Sequence, residues 1–348
     1  MEREKKRRRL APWLKVLGIM LGALLMLCIA AFIYINIKLE KLGTLAPEQT
    51  PIAEEGMAED EIYEQDDVPA GSEQNESAEE MEPEDVVWAE DPVDLEAQSM
   101  VTNILLIGQD RRPEESGTTR SDAIMIVSMN AETKKVTLVS IMRDTYVQIP
   151  GHVDNRINAA YRFGGASLLC ETIEKNFGLK IDGTVGVDFS GFVDVINAVG
   201  GVDIDLTSAE AEHLSGVHPN LHVGLNRLNG EEALSYSRIR HLAGGDRMRT
   251  QRQRNVITSL INRFKSSSLT ELNKLIDTVL PLVSTDLGNL EIMHYAVTAL
   301  TMDLGDLRSH AIPVEGAYKS ARIRGMAVYV PDLGKTREAL AEMLHSGG

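Results

Sequence analysis

The stretch Asn103–Asp144, NILLIGQDRRPEESGTTRSDAIMIVSMNAETKKVTLVSIMRD, decides the fold. It holds three short apolar runs, Asn103–Gly108, Ala123–Met129 and Val136–Ile141, separated by a polar loop and a turn. Runs of this length, rich in Ile, Val and Leu and bounded by turn residues, read as buried strands. If consecutive strands pair as hairpins, the end of the first lies beside the start of the second, and the start of the second beside the end of the third. Asp110, Asp122 and Arg143 then converge on one edge of the sheet, although they are far apart in sequence. Two carboxylates with arginines are suited to a divalent cation and a phosphate, hard oxygen ligands for the one and guanidinium clamps for the other. The same residues also suit ordinary salt bridges, Asp122 with Arg120 and Asp144 with Arg143, and the spacing leaves both open.

Downstream, strands and helices alternate. Arg156–Gly165 opens into a helix over Ala166–Phe177, closed by Gly178. Thr184–Asp188 reads as a strand. Ser190–Val199 reads as a helix, with Ser190 as N-cap and Gly200-Gly201 as its stop, and Val202–Leu206 as a further strand. Ala209–Leu225 reads as a loop; its His213, His218 and His222 lack the Cys or Glu partners a zinc site needs. Leu269–Leu282 and Leu290–Leu300 have helical amphipathic spacing, Ser309–Pro313 and Met326–Val330 read as strands, and Thr336–Leu344 as a final helix. This pattern predicts an α/β fold, a three-layer α/β/α sandwich with helices on both faces of a mixed central sheet. With 43% hydrophobic but only 5% aromatic residues, its core is aliphatic.

Ser235–Arg254 (SYSRIRHLAGGDRMRTQRQR) carries Arg238, Arg240, Arg247, Arg249, Arg252 and Arg254, one acid, Asp246, and no lysine. Arginine at every position points to forked recognition of phosphate or carboxylate. Val256, Ile257, Leu260, Ile261 and Phe264 then mark the apolar face of a helix, and counting back places Arg249, Arg252 and Gln253 on its inward side. Cations in the first turn oppose the helix dipole, so they are placed for an anion rather than for the helix.

The net charge of −17 is unevenly distributed over the 348 residues. Residues 1–42 carry nine Lys/Arg against three acids, 43–100 carry twenty acids and no Lys or Arg, and 101–348 are nearly balanced. After the basic start MEREKKRRR comes an apolar run of twenty residues, Val16–Ile35. At about 1.5 Å per residue it matches a hydrocarbon core of roughly 30 Å. It is too long for a signal-peptide core, and no small-x-small cleavage site follows. The predicted organisation is therefore a basic cytoplasmic tail (1–15), a transmembrane anchor (16–37), an acidic disordered linker (38–100) and an extracytoplasmic domain (101–348). That domain comprises a motif core (101–265) and C-terminal helices and strands (266–348). The linker is read as a self-repelling spacer that holds the domain off the membrane or merely solvates it. Cys28 lies in the span and Cys170 stands alone beyond it, which excludes an intramolecular disulfide in the exported part. Outside the membrane, the arginine cluster is not placed to bind nucleic acid.

Taken in order, the motifs resemble the LytR–CpsA–Psr family. They are G-x-D-x-R at Gly108–Arg112, R-S-D at Arg120–Asp122, Arg143-Asp144 after a strand, I-N-A-A-Y at Ile157–Tyr161 and D-F-S-G-F at Asp188–Phe192. Gly200–Val202, the run Leu228–Arg240 and G-D-x-x-R-x-x-R-Q at Gly245–Gln253 complete the set. The resemblance implies a membrane-anchored extracellular phosphotransferase, single-pass with a cytoplasmic N-terminus. It would move a phosphorylated glycan from an undecaprenyl phosphate or pyrophosphate donor onto a peptidoglycan acceptor, with Mg²⁺ or Mn²⁺. Asp110 and Asp122 match the acids associated with the metal and, with Arg143, the catalytic set. Arg120, Arg143, Arg238, Arg240, Arg249 and Gln253 match residues that hold the pyrophosphate. Arg112 and Arg252 join them from the first and last motifs. The chain departs from the family pattern at Met142, Arg156 and Arg247-Met248. A general base stays open among Asp110, Asp122 and Asp246. Two other readings share these residues: a non-enzymatic binder of polyprenyl phosphate or anionic polymer with a regulatory role, and a lipid pyrophosphatase.

Overall fold

The three apolar runs form adjacent antiparallel strands at the centre of one sheet. The computed structural model describes residues 37–44, 78–89, 100–109, 121–266 and 268–345. Its strands are β1 (Gly43–Thr44), β2 (Glu79–Glu80), β3 (Val101–Gln109), β4 (Ser121–Asn130), β5 (Lys135–Ile141), β6 (Tyr146–Val147) and β7 (Asn155–Arg156). They continue as β8 (Gly183–Asp188), β9 (Val202–Leu206), β10 (Gly224–Leu228), β11 (Ser284–Thr285), β12 (Asp303–Ile312), β13 (Tyr318–Ile323) and β14 (Met326–Pro331). The helices used below are α1 (Ile157–Phe177), α2 (Phe189–Ala198), α3 (Ser208–Ser215) and α4 (Gly230–Ser237), then α5 (Gly245–Ser266), α6 (Leu269–Val279), α7 (Asn289–Leu300) and α8 (Leu333–His345).

The main sheet has seven strands in the order β1-β11-β8-β3-β4-β5-β12. β3 pairs antiparallel with β4 and β4 antiparallel with β5, whereas β8 runs parallel to β3 and β12 parallel to β5. The sheet is therefore mixed. Its period-two alternation feeds two cores. Leu105, Ile107, Ile124 and Ile126 pack under α1 and α8 with Leu169, Ile173 and Leu340. Ile104 and Met129 face the other way, toward Tyr295 and Ala299 of α7. A separate cluster joins the β9–β10 hairpin to α2–α5 through Ile196, Ile204, Leu228, Tyr236 and Val256.

Several boundaries move. Asp188, not Ser190, caps α2, accepting from the Gly191 amide at 2.7 Å. Gly178 closes α1 with φ 66°, as expected of a left-handed cap. The stretch read as a loop over Ala209–Leu225 contains most of α3, held by a capping box between Thr207 and Glu210. The linker boundaries also need correction. Within 38–100, residues 38–44 dock on the sheet edge through β1. Residues 78–89 dock through β2, which pairs with β13, and through Trp88, stacked on Tyr146 at 5.9 Å. The apolar run Val16–Ile35 lies outside the described residues; among those described, no helix is long and apolar enough to cross a membrane.

Candidate functional site

The strand ends meet as the hairpin geometry requires. Gly108 pairs with Ala123 and Gln109 with Ser121, which leaves Asp122 as the extra residue of a bulge; Ile124 pairs with Ile141, two residues before Arg143. A Cβ on Gly108 would stand 3.0 Å from that of Ala123, so the bulge is built on a residue without a side chain. Bulges at strand ends re-aim side chains. The backbone of Asp122 is thus beside the end of β3, from which Asp110 follows directly. Asp110, Arg112 and Arg120 lie outside the described residues, as does the side chain of Asp122. Among the described residues, no three His, Cys, Asp or Glu side chains are grouped to hold a metal.

The loop after β5 is pinned from several sides. The Met142 amide donates to Ile312 O at 2.9 Å, and Asn158 of α1 donates to Arg143 O at 3.3 Å. Tyr329 of β14 donates its amide to Asp144 O at 2.9 Å. The Arg143 Nε lies 3.4 Å from Asp144 and 3.9 Å from Asp246, and Arg156 Nη1 lies 3.5 Å from Asp144.

Asp246, in the first turn of α5, ties this loop to the arginine helix. Arg249 Nη2 lies 2.7 Å from Asp246 Oδ1, one turn along. Burial pushes the Asp246 carboxyl above the usual carboxylate range; Arg249, Arg143 and Arg240 oppose the push, and Asp144 reinforces it. Burial likewise raises the Tyr329 hydroxyl, and Asp246 and Asp144 add to that. Arg143, Arg240 and Arg249 therefore all act on one buried carboxylate, Asp246, which the sequence offered only as a candidate general base.

Arg249 is the largest fully buried side chain, and its Nε and Nη1 have no hydrogen-bond partner among the described residues. A buried donor without an acceptor costs about 1–3 kcal/mol, more when charged. Its ion pair uses one nitrogen and leaves the rest of the fork free. Arg238 ends α4 with its guanidinium 4.8 Å from the Phe189 ring centroid, and exposed Arg240 follows two residues later. Gln253 is half-buried, one turn beyond Arg249.

Arg252 does not join this group. Its Nε donates to Glu210 Oε1 at 2.7 Å and its Nη1 to Ile239 O at 3.1 Å, all buried. Both its acceptors lie within the fold, so it braces α3 and the α4–α5 connection instead of facing a ligand. Arg247 donates to Pro313 O at 3.0 Å and lies 5.7 Å from the Tyr318 ring centroid. Arg254 donates to Ser309 Oγ and Gln251, and burial, with Arg247 nearby, lowers it to about 10. A separate polar groove of about 430 Å³ lies between β9 and the second half of α5, lined by Asp203, Asn255, Thr258, Ser259 and Asn262.

The LytR_cpsA_psr family model matches residues 66–344. The chain is 32% identical over 220 residues to the regulatory protein MsrR of Staphylococcus aureus (strain COL), covering 62% of this chain and 66% of MsrR. It is 39% identical over 193 residues to the polyisoprenyl-teichoic acid–peptidoglycan teichoic acid transferase TagU of Oceanobacillus iheyensis, covering 53% of this chain and 58% of TagU. These matches span less than two thirds of either relative's length. Among solved structures, TagT bound to LI-WTA superposes with a TM-score of 0.58 at 26% identity, over 73% of this chain and 94% of that one.

Proposed function

The chain belongs to the LytR–CpsA–Psr family, and from that premise we propose that it is a phosphotransferase. It moves a phosphorylated glycan from an undecaprenyl phosphate or pyrophosphate carrier onto peptidoglycan. The names of TagU and TagT support the class of substrate. The observation that carries the reading is Arg249, a buried guanidinium held by Asp246 whose Nε and Nη1 have no hydrogen-bond partner among the described residues. An oxyanion is the ligand that satisfies such donors, and a phosphate presents several oxygens at once.

In phosphoryl transfer the protein mainly positions the group and stabilises charge spread over its oxygens. Arg249 would donate to the head group, while Arg143, Arg240 and Arg238 supply positive charge around it. Asp246 keeps Arg249 in place. Asp144 does the same for Arg143 and Arg156. Asp110 and Asp122 would hold Mg²⁺ or Mn²⁺: Asp110 follows the last residue of β3 in sequence, Asp122 is the extra residue of the β4 bulge, and hard carboxylates suit an ion that keeps most of its ligands from water and phosphate. Bound there, the ion would neutralise charge developing on the phosphate oxygens. Residues 16–37 span the membrane in this reading, with the N-terminus cytoplasmic and the catalytic domain outside.

The test incubates the folded domain with polyprenyl-pyrophosphate-linked glycan, a peptidoglycan acceptor and Mg²⁺. Wild type should transfer; Asp122→Ala and Arg143→Ala should not, while keeping the wild-type circular dichroism. Transfer surviving in both variants would defeat the proposal. Binding without turnover, insensitive to metal, would favour the regulatory reading that the name of MsrR carries. Release of phosphate without transfer would make the protein a pyrophosphatase.

A further inference from the structure

The membrane-proximal segment is part of the fold. Gly43 and Thr44 pair with Ser284 and Thr285 at the sheet edge, Leu39 is buried, and Lys38 and Lys41 both pair with Asp277 near the end of α6. Residues 38–42 form a tight turn, with Lys41 N donating to Lys38 O and Leu42 N to Leu39 O. The acidic stretch that follows returns to the domain at its far end, through β2 and Trp88. The described residues on either side of that stretch, 43–44 and 78–89, therefore both dock on the same domain.

The direction of β1 is decisive. β1 runs parallel to β11, and β11 antiparallel to β8. The chain therefore enters β1 from the end of the sheet where β8 finishes at Asp188 and β3 at Gln109, which is the end bearing the phosphate site. In register, Gly43 is level with Ser284, Gly186 and Ile107. That is two residues, roughly 7 Å, from the end of β3, and three strand spacings, roughly 14 Å, to one side. The apolar run ends at Ile35, eight residues before Gly43. Even fully extended, those residues reach only about 28 Å, and the turn shortens them.

We propose that the domain is clamped to its own anchor, with the phosphate-binding end of the sheet held against the outer surface of the bilayer. The occupant of that end is the membrane itself. The proposal rests on the reading of residues 16–37 as a membrane anchor. A free spacer over the 58 residues 43–100 would let the domain wander by about 40 Å from its anchor. The clamp removes that freedom and turns exposed Arg238 and Arg240 toward the headgroups. A lipid-linked pyrophosphate then meets the site at the depth where its own head group lies.

The experiment uses the full chain with Cys28→Ala and Cys170→Ala, reconstituted in vesicles of phosphatidylethanolamine and phosphatidylglycerol. A fluorophore is placed either at Ala243→Cys, in the exposed loop before α5, or at Glu132→Cys, in the β4–β5 turn at the opposite end. Nitroxide lipids labelled at the headgroup should quench position 243 and leave position 132 bright. Asp277→Lys should bring the ratio of the two toward one, and adding Lys38→Glu and Lys41→Glu should restore it. Equal quenching in the parent protein, stronger quenching at 132, or indifference to Asp277→Lys would overturn the clamp. A chain that fails to float with the vesicles would remove the anchor instead, and the proposal with it.

Discussion

Replacing Asp246 and Arg249 together separates the work of the site from the work of the fold. In Asp246→Asn/Arg249→Met, the ion pair at 2.7 Å disappears along with two buried nitrogens that have no partner among the described residues. Each unmet donor costs about 1–3 kcal/mol. Exchanging a buried ion pair for neutral groups of similar volume is commonly neutral or stabilising by about 1–4 kcal/mol. The double variant should therefore melt no lower than wild type, and each kcal/mol gained raises Tm by about 2–4 °C in a domain of this size. Binding should move the other way. Losing two charge-assisted hydrogen bonds to phosphate, at about 1.5–3 kcal/mol each, weakens binding by about 3–6 kcal/mol. That is roughly a hundred- to ten-thousand-fold in Kd.

Calorimetric melting, paired with titration of a short-chain polyprenyl pyrophosphate, reads both quantities on the same samples. Affinity within about tenfold of wild type, a difference of only about 1.4 kcal/mol, would refute the assignment of Arg249 as the phosphate clamp. A fall in Tm beyond about 6 °C would show the pair to be a fold element. Arg249→Met alone adds a pH signature. Without its partner the Asp246 carboxyl, already raised by burial, rises further, so the folded state binds a proton that the unfolded state releases. The deficit should be absent below the unfolded value of about 3.9 and grow as pH rises through the folded pKa.

Arg252→Met should cost about 3–5 kcal/mol by leaving Glu210 buried and uncompensated, with activity lost in proportion to unfolded protein and with Kd unchanged in the folded fraction. Glu210 gives a second pH test. Burial raises its pKa, but the Thr207 amide, Arg252 and the Thr207 hydroxyl together outweigh burial and hold it below the usual value, so its contribution is present above about 4.3 and lost as pH falls through the folded value; urea melts at pH 6 and pH 3.5 should show this loss in wild type and a much smaller one in Glu210→Gln. Asp122→Ala should leave Tm within about 2 °C of wild type, yet abolish the response of turnover to added Mg²⁺.

The central sheet was legible because its strands are long and carry uninterrupted apolar runs, from which β3, β4 and β5 follow in register. The convergence of their ends followed from hairpin geometry alone. Elsewhere the signals were shorter or were outweighed. Thr207 and Glu210 form the spacing of a capping box, and that local signal announces α3 inside a segment whose polarity reads as loop. Tyr318–Ile323 was hidden by its charged residues, although Arg324 and Gly325 take the positive φ of 48° and 77° that a tight hairpin turn needs. β1 and β2 are two residues each, too short for any periodicity, and the acids around them dominate the composition. Asp246 was visible as the one acid in a basic run and as one of three candidates for a general base, not as the partner of the arginines. Its place at the centre of the site depends on Arg143 and Arg240, brought from two other elements.

The absence of lysine from Ser235–Arg254 was read as a sign of anion recognition, and the structure divides that reading in two. Arg252 needs a fork because its acceptors, a carboxylate and a carbonyl, lie in different directions from one guanidinium. Arg247 and Arg254 likewise donate to Pro313 O, Ser309 Oγ and Gln251. Arginine is preferred at these three positions for reasons of folding, since a single ammonium on a flexible stem does not meet such geometry when buried. Residue type therefore does not distinguish a ligand clamp from an internal brace, and neither does burial, which Arg249 and Arg252 share. What distinguishes them is unspent donor capacity. Among the described residues, Arg252 meets a carboxylate and a carbonyl inside the protein, whereas Arg249 meets Asp246 through one nitrogen and leaves both Nε and Nη1 without a hydrogen bond, where Arg247 and Arg254 each leave one nitrogen.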